Sequence, residues 1–248
     1  MTDVIESDVR LAERLATEAG AILLGLQTNG GLTGKDLGKA GDEQANTFLM
    51  RALRAARPED AILSEEEKDD SRRCSVSRAW IIDPLDGTRE YGEGRTDWAV
   101  HVALAIDGVA TVGAVALPGL GLTLTSGTPS PLAPAGAPLR MLVSRTRPAR
   151  EAIAVAEAMD AVLVPMGSAG AKAMAVVRGE ADIYLHTGGQ YEWDNCAPIA
   201  VAQAAGLHVS RVDGSPLVYN CADPYLPDLL ICRAELAEQV LALVKAMD

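Results

Sequence analysis

The chain has only four cysteines, Cys74, Cys196, Cys221 and Cys232, and no two of them form a Cys-x-x-Cys pair. The usual thiolate zinc site and redox pair are thereby disfavoured, and free thiols in a reducing compartment are the expectation. No apolar run reaches the roughly 20 residues that a membrane-spanning helix needs. Basic residues are also scarce: 22 Lys and Arg stand against 34 Asp and Glu, a formal charge of -12 over 248 residues. That balance argues against a general nucleic-acid or anionic-membrane surface, so an anionic substrate would need a metal or a few local basic groups. The opening Met-Thr-Asp-Val-Ile-Glu-Ser-Asp is acidic where a secretory leader is basic, which leads us to expect a cytoplasmic protein. No internal repeat is present.

What is there suits a globular protein. With 48% hydrophobic and 23% charged residues, the chain can bury a core as one large domain or as two closely packed halves. Its most informative stretch is residues 80–91, Trp-Ile-Ile-Asp-Pro-Leu-Asp-Gly-Thr-Arg-Glu-Tyr. Trp80, Ile81 and Ile82 read as a short buried strand, and Pro84 and Gly87 predict a turn with Asp83 and Asp86 at its ends. Two carboxylates held close repel one another, and one takes up a proton unless a hard cation such as Mg²⁺ lies between them. Gly87 and Thr88 add backbone N–H donors and a hydroxyl suited to phosphate oxygens. Read as a bare polar turn, the stretch leaves its density of specific residues unexplained. An EF-hand is excluded because Pro84 breaks its ligand spacing.

Along the rest of the chain, apolar Leu11, Leu15, Ile22 and Leu26 predict a helix from about Ser7 that stops at Asn29-Gly30-Gly31. A Gly- and Lys-containing loop to Gly41 is expected next, then a second helix from Asp42 to Ala56 with Phe48, Leu49 and Leu53 inward. Ala61 to Leu63 reads as a strand delivering Glu65; the acidic run to Asp70 also fits a solvated loop. Trp98–Ile106 and Val109–Leu117 form an expected hairpin at Asp107-Gly108, with Leu122–Thr125 as a third strand. These elements predict helices on an antiparallel sheet in residues 1–125. Residues 126–138 hold four of the 13 prolines and are expected to link this half to residues 139–248, where strands and helices alternate.

Later positions can join the two aspartates. Asp194 opens an Ala-rich helix, either as a plain N-cap or as a further carboxylate at the site. Gly167 to Gly170 open another helix, as a ligand's close approach or merely as a tight turn. Lys172 and His186 are two basic-capable groups; the first can equally be an exposed helix charge and the second a buried strand-end residue.

Taken together, Ile-Leu-Ser-Glu-Glu at 62–66, Trp-Ile-Ile-Asp-Pro-Leu-Asp-Gly-Thr at 80–88, Gly-Ser-Ala-Gly at 167–170 and Trp-Asp at 193–194 resemble the Mg²⁺-dependent, lithium-sensitive phosphatases related to inositol monophosphatase. Residues 38–46, 167–176, 184–186, 188–194 and 213–217 look closest to the CysQ-type 3'-phosphoadenosine 5'-phosphate phosphatases of that superfamily, in their actinobacterial form.

The resemblance implies an α/β (α+β) protein with a layered αβαβα sandwich, the first half carrying most metal ligands. It implies a phosphoric monoester hydrolase using two Mg²⁺: Glu65, Asp83 and the Leu85 carbonyl on one, and Asp83, Asp86 and Asp194 on the second. Glu65 would also help hold a weaker third ion through water. Asp42 and Thr88 would relay the proton of the attacking water, although Asp42 also fits an N-cap. Asp86, Gly87 and Thr88 would meet the phosphate, and Gly167, Ser168, Lys172 and His186 the rest of the substrate. The implied reaction, 3'-phosphoadenosine 5'-phosphate to AMP, would relieve product inhibition in sulfate assimilation. The chain departs from the nucleotidases at Gly170-Ala171-Lys172, where they often have Ser-Leu-Lys. Rival readings are a broad inositol or sugar phosphatase and a catalytically silent metal- and nucleotide-binding sensor. Expected partners are a phosphorylated small molecule, with no nucleic acid and no membrane, and with a homodimer left open.

Overall fold

The computed structural model describes residues 6–69, 71–129, 131–132 and 134–247. The acidic opening at residues 1–5, Asp70 of the acidic run, and Ser130 and Ala133 of the Pro-rich segment lie outside the described residues.

The first half runs α1 (Asp8–Asn29), α2 (Gly34–Ala56), β1 (Ala61–Ser64), β2 (Arg78–Asp86), α3 (Thr88–Gly92), β3 (Ala99–Ile106), β4 (Val109–Leu117) and β5 (Leu122–Thr125). The second runs β6 (Arg140–Ser144), α4 (Arg150–Ala158), β7 (Val162–Met166), α5 (Ala169–Val177), β8 (Ile183–His186), β9 (Gln190–Tyr191), α6 (Glu192–Ala204), β10 (His208–Ser210), β11 (Tyr225–Leu226), β12 (Leu229–Cys232) and α7 (Ala237–Lys245). No helix among the described residues is long and apolar enough to cross a membrane.

Two five-stranded sheets, ordered β1-β2-β3-β4-β5 and β10-β12-β8-β6-β7, stack between three helical layers. Helices α1 and α2 cover the outside of the first sheet, α5 and α6 lie between the sheets, and α4 and α7 cover the second. This is the expected αβαβα order. The first sheet differs from the antiparallel expectation in one pairing, because β1 runs parallel to β2.

Period-two alternation explains why both faces of β2 and β3 are buried. Trp80 and Ile82 of β2, with Val100, Val102 and Leu104 of β3, face α1 and α2. Ile81, Ala99, Ala103 and Ala105 face α5 and α6, and their small size on β3 lets those helices lie close. On α1 the buried stripe runs through Leu11, Leu15, Ala19 and Leu23, while Ile22 and Leu26 are half-buried. Ser7 caps that helix by accepting from Arg10 N at 3.3 Å.

Helix α2 corrects the expected loop to Gly41: it begins at Gly34, so Asp42 lies in its interior and is not its N-cap. The glycines that read as loop are packing residues here. A Cβ on Gly38 would come within 2.7 Å of Thr88 Cγ2, and one on Gly41 within 2.9 Å of the Tyr91 ring. Tertiary contact with α3 thus outweighs the roughly 1 kcal/mol that each Gly costs a helix. Tyr91 fixes α3 in turn: its hydroxyl donates to Leu23 O at 2.8 Å, and its ring packs edge-on to Trp98 at 4.9 Å. Such an aromatic pair contributes about 1 kcal/mol beyond its buried area. These contacts hold Thr88 against Asp42.

Candidate metal and phosphate site

Asp83 shares the Ile81 face of β2, towards α5 and α6, and in an unbroken strand Asp86 would face the opposite way. The pairing with β3 slips at that point, Asp83 lying opposite His101 and Asp86 opposite Ala99. This bulge returns Asp86 to the side of Asp83. Pro84, which has no N–H for the ladder, falls inside it. The expected turn between the two aspartates is therefore a bulged continuation of β2. The turn comes one residue later, where Gly87 takes φ 92° and starts α3.

Each carboxylate arrives from a different element. Glu65 continues the parallel pairing of β1, its N–H donating to Ile82 O at 3.3 Å, and its carboxyl interacts with that of Asp83. Asp194 is the third residue of α6 and accepts from Tyr191 N at 2.6 Å, so it receives the N–H of the N-cap residue and is not itself the cap. One oxygen each of Asp83, Asp86 and Asp194 lies within 4.8 Å of the others. Asp83 also accepts from Leu85 N at 3.0 Å. The Leu85 carbonyl accepts from Thr88 Oγ1 at 3.1 Å, and the same hydroxyl lies 3.4 Å from Asp42 Oδ1. A hydroxyl has one proton, so these two contacts compete for it.

Electrostatics divides the acids. Burial first, then the charges of Glu65, Asp86 and Asp194, raise Asp83 well above the carboxylate range. Burial and Asp194 push Glu65 up to about 7, and burial and Asp86 push Asp194 up to about 6. Burial with Glu66 nearby raises Asp42 to about 7. Asp86 is the exception: burial alone would raise it, but the His101 ring, the Ser168 hydroxyl and the Lys172 charge hold it at about 2. An all-oxygen set with this much unrelieved repulsion fits a hard divalent cation.

The turn before α5 is built against Asp86. Ser168 sits at φ 53° and ψ 134°, a sparsely populated geometry for a residue with a Cβ, which costs on the order of 1–3 kcal/mol unless its surroundings hold it. They do: its hydroxyl donates to Asp86 and accepts from Ala171 N at 2.9 Å, and Gly170 N donates to the same Asp86 oxygen at 2.6 Å. Gly167 N donates to Asp97 Oδ2 at 2.8 Å. Lys172 is buried, which removes the reading of an exposed helix charge. Its Nζ donates to Gly167 O at 3.3 Å and Ser168 O at 2.5 Å and lies 5.2 Å from the centre of the Tyr184 ring. His186 is half-buried, with Nε2 3.2 Å from Gly189 O. Burial, and the charges of Lys172 and Arg147, lower its pKa.

A groove of about 870 Å³ opens beside the Asp42–Thr88 pair, lined among others by Lys35, Lys39, Glu66 and Arg89. Among the residues that sequence reasoning missed, His101 matters most. Its Nδ1 lies 3.0 Å from Trp193 O and its Nε2 3.3 Å from Asp86 Oδ2, at 0% exposure. A lone polar residue in the apolar run Ala99 to Ile106 was the available signal.

Comparison with known proteins places this geometry. The model of the inositol monophosphatase family matches residues 2–247. A 3'-phosphoadenosine 5'-phosphate phosphatase of Mycobacterium leprae (strain TN) is 49% identical over 258 aligned positions, covering 96% of this chain and 94% of that protein. The protein of the same name from Mycobacterium bovis (strain ATCC BAA-935 / AF2122/97) is 51% identical, covering 92% of this chain and 89% of its own. The crystal structure of inositol monophosphatase II from Staphylococcus aureus MSSA476 shares the fold at TM-score 0.79 and 20% identity, over 93% of this chain and 92% of that one. A match that spans nearly every residue, on a chain whose acids converge as described, carries one conclusion: the chain belongs to the inositol monophosphatase family.

Proposed function

We propose that this chain is a Mg²⁺-dependent phosphatase that removes the 3'-phosphate of 3'-phosphoadenosine 5'-phosphate, giving AMP and phosphate. The observation that carries the reading is the convergence of Asp83, Asp86 and Asp194, with Glu65 near Asp83, in a pocket too acidic to stay fully ionised without a cation. The relatives at about half identity bear that substrate in their names.

Glu65, Asp83 and the Leu85 carbonyl would hold one ion and Asp83, Asp86 and Asp194 the other, with Glu65 assisting a weaker third through water. Bound there, such ions activate a water and neutralise the leaving oxygen. The chain's own part is to place the groups and move the proton. Thr88 passes its hydroxyl proton to Asp42 as it takes one from the attacking water, and a carboxyl poised at about 7 suits a base working near neutrality. The Gly87 and Thr88 N–H groups at the start of α3 would hold phosphoryl oxygens, next to Asp86 among the residues that would hold the ion.

A second phosphate calls for positive charge away from the acids. Exposed Arg147, whose charge bears on His186, would supply it, while buried Lys172 adds its charge at the Gly167-Ser168 turn, nearer Asp86. Lys172 contributes as a charge, since its ammonium is already engaged with two carbonyls.

The test is phosphate release with Mg²⁺ from 3'-phosphoadenosine 5'-phosphate, inositol 1-phosphate and fructose 1,6-bisphosphate, with and without lithium. We expect the nucleotide to lead in kcat/KM by at least about tenfold, about 1.4 kcal/mol of transition-state discrimination. A flat or sugar-favouring profile would replace this reading with a broad phosphatase.

A further inference from the structure

We infer that His101 is a positioning residue that locks the α6 end of the acid cluster to its β2 end. The inference rests on the reading of Asp83, Asp86 and Asp194 as ligands to a divalent ion, and it concerns how they are held at the right separation.

His101 lies on β3 directly across from Asp83, on the face turned to α5 and α6, and is fully buried. A backbone carbonyl can only accept, so the 3.0 Å contact between Nδ1 and Trp193 O places a proton on Nδ1. The residue after that carbonyl is Asp194. Whatever fixes Trp193 O therefore fixes the start of α6 and the carboxylate it presents. On its other edge, Nε2 comes 3.3 Å from Asp86 Oδ2 without an aligned hydrogen bond, and it is the buried side-chain polar atom lacking one among the described residues. One ring thus spans two ligand-bearing segments that are far apart in sequence.

The third side of the ring is shaped to admit it. A Cβ on Gly170 would lie 2.0 Å from His101 Nε2, so the first turn of α5 can pass the ring only at a residue that has no side chain. Gly170 N in turn donates to Asp86 Oδ2. The ring consequently registers three segments, β2, the start of α5 and the start of α6, around one carboxylate. A core-filling role alone would be met by an apolar residue, as at Val100, Val102 and Ala103 alongside, without burying two ring nitrogens. Partners that orient ligating side chains typically contribute 10- to 100-fold in metal affinity.

The test compares four variants with wild type in chelator-treated, substrate-free protein, using Mn²⁺ binding followed by electron paramagnetic resonance. His101→Asn keeps an amide donor near the Nδ1 position, His101→Gln moves it towards Nε2, His101→Leu removes both, and Asp83→Asn removes a ligand. We expect Leu and Gln to weaken Mn²⁺ binding by about tenfold or more and Asn to restore it to within about threefold of wild type, with metal-free melting temperatures alike. Affinities equal across Asn, Gln and Leu would overturn the inference. If the Leu variant does not fold, the Asn–Gln pair decides alone, by the same criterion. Unchanged binding in Asp83→Asn would instead bring down the metal-site reading on which the inference rests.

Discussion

Asp83 and Asp182 are the same residue type, each 1% exposed, in opposite surroundings. Asp182 accepts from Arg233 Nε at 2.7 Å, Arg140 N at 2.9 Å and Gly136 N at 3.1 Å. Burial alone would raise its pKa, but those donors and the guanidinium charge hold it below the usual range. Asp83 has one backbone donor, from Leu85, and faces Glu65, Asp86 and Asp194, and its pKa rises. Half-buried Asp60, bound by Arg78 at 2.8 Å and by Trp80 Nε1 at 2.9 Å, and Asp228, bound by Arg211 at 2.6 Å, likewise have a guanidinium partner. Burial of an acid therefore does not mark function. What separates the two kinds is whether the chain supplies the compensating cation itself or leaves it to come from outside.

Mutation should pull the two aspartates apart most strongly in turnover. Asp83→Asn is expected to reduce phosphate release to background, whereas Asp182→Asn should leave kcat/KM of the folded fraction within about twofold. Near wild-type activity in Asp83→Asn would end the contrast. In stability the order reverses. Arg233→Leu strands a buried carboxylate and should cost about 3–5 kcal/mol, lowering the melting temperature by roughly 10 °C. Asp83→Asn relieves repulsion and should raise the melting temperature of chelator-treated protein, a comparison that differential scanning calorimetry can make directly.

A smaller effect sharpens the contrast through pH. Glu65 at about 7 and Asp194 at about 6 stand above their ordinary 4.5 and 3.8, so the folded state binds more protons than the unfolded one across that interval. Their contribution is present below the unfolded values and is lost as pH rises through the folded ones. Metal-free protein should therefore lose stability between about pH 4.5 and 7, and divalent ions should remove that loss. Asp182 acts in the other direction: its pKa is depressed below 3.8, so its contribution is present above that value and is lost as pH falls through the folded one. Melting curves across both windows, with and without Mg²⁺, separate the two; an acid-side loss that Mg²⁺ abolishes would contradict the assignment.

The parts of the site legible in the sequence are those set by neighbours in the chain. The Ile-Ile-Asp-Pro-Leu-Asp-Gly-Thr run fixed a buried strand, two carboxylates and an αL glycine within a few residues, and Asp107-Gly108 fixed a hairpin. What was hidden depends on contacts distant in sequence. That Asp83 and Asp86 share a side follows from a slip against β3, which no local spacing shows. Helix α2 starts early because Gly38 and Gly41 pack on Thr88 and Tyr91, contacts made 50 residues apart. Lys172 resembles a surface charge until Gly167, Ser168 and Tyr184 enclose it. His101 gains its place only when β3, α5 and α6 meet.

The central claim is that the carboxylate cluster is completed by an external divalent cation. Isothermal titration of Mg²⁺ into chelator-treated protein near pH 6.5, repeated in two buffers of different ionisation enthalpy, tests it most directly. We predict saturable binding with net proton release, because raised carboxyls give up protons to bind metal, and loss of both in Asp83→Asn but not in Asp182→Asn. Binding without proton release, or binding indifferent to Asp83, would contradict the account.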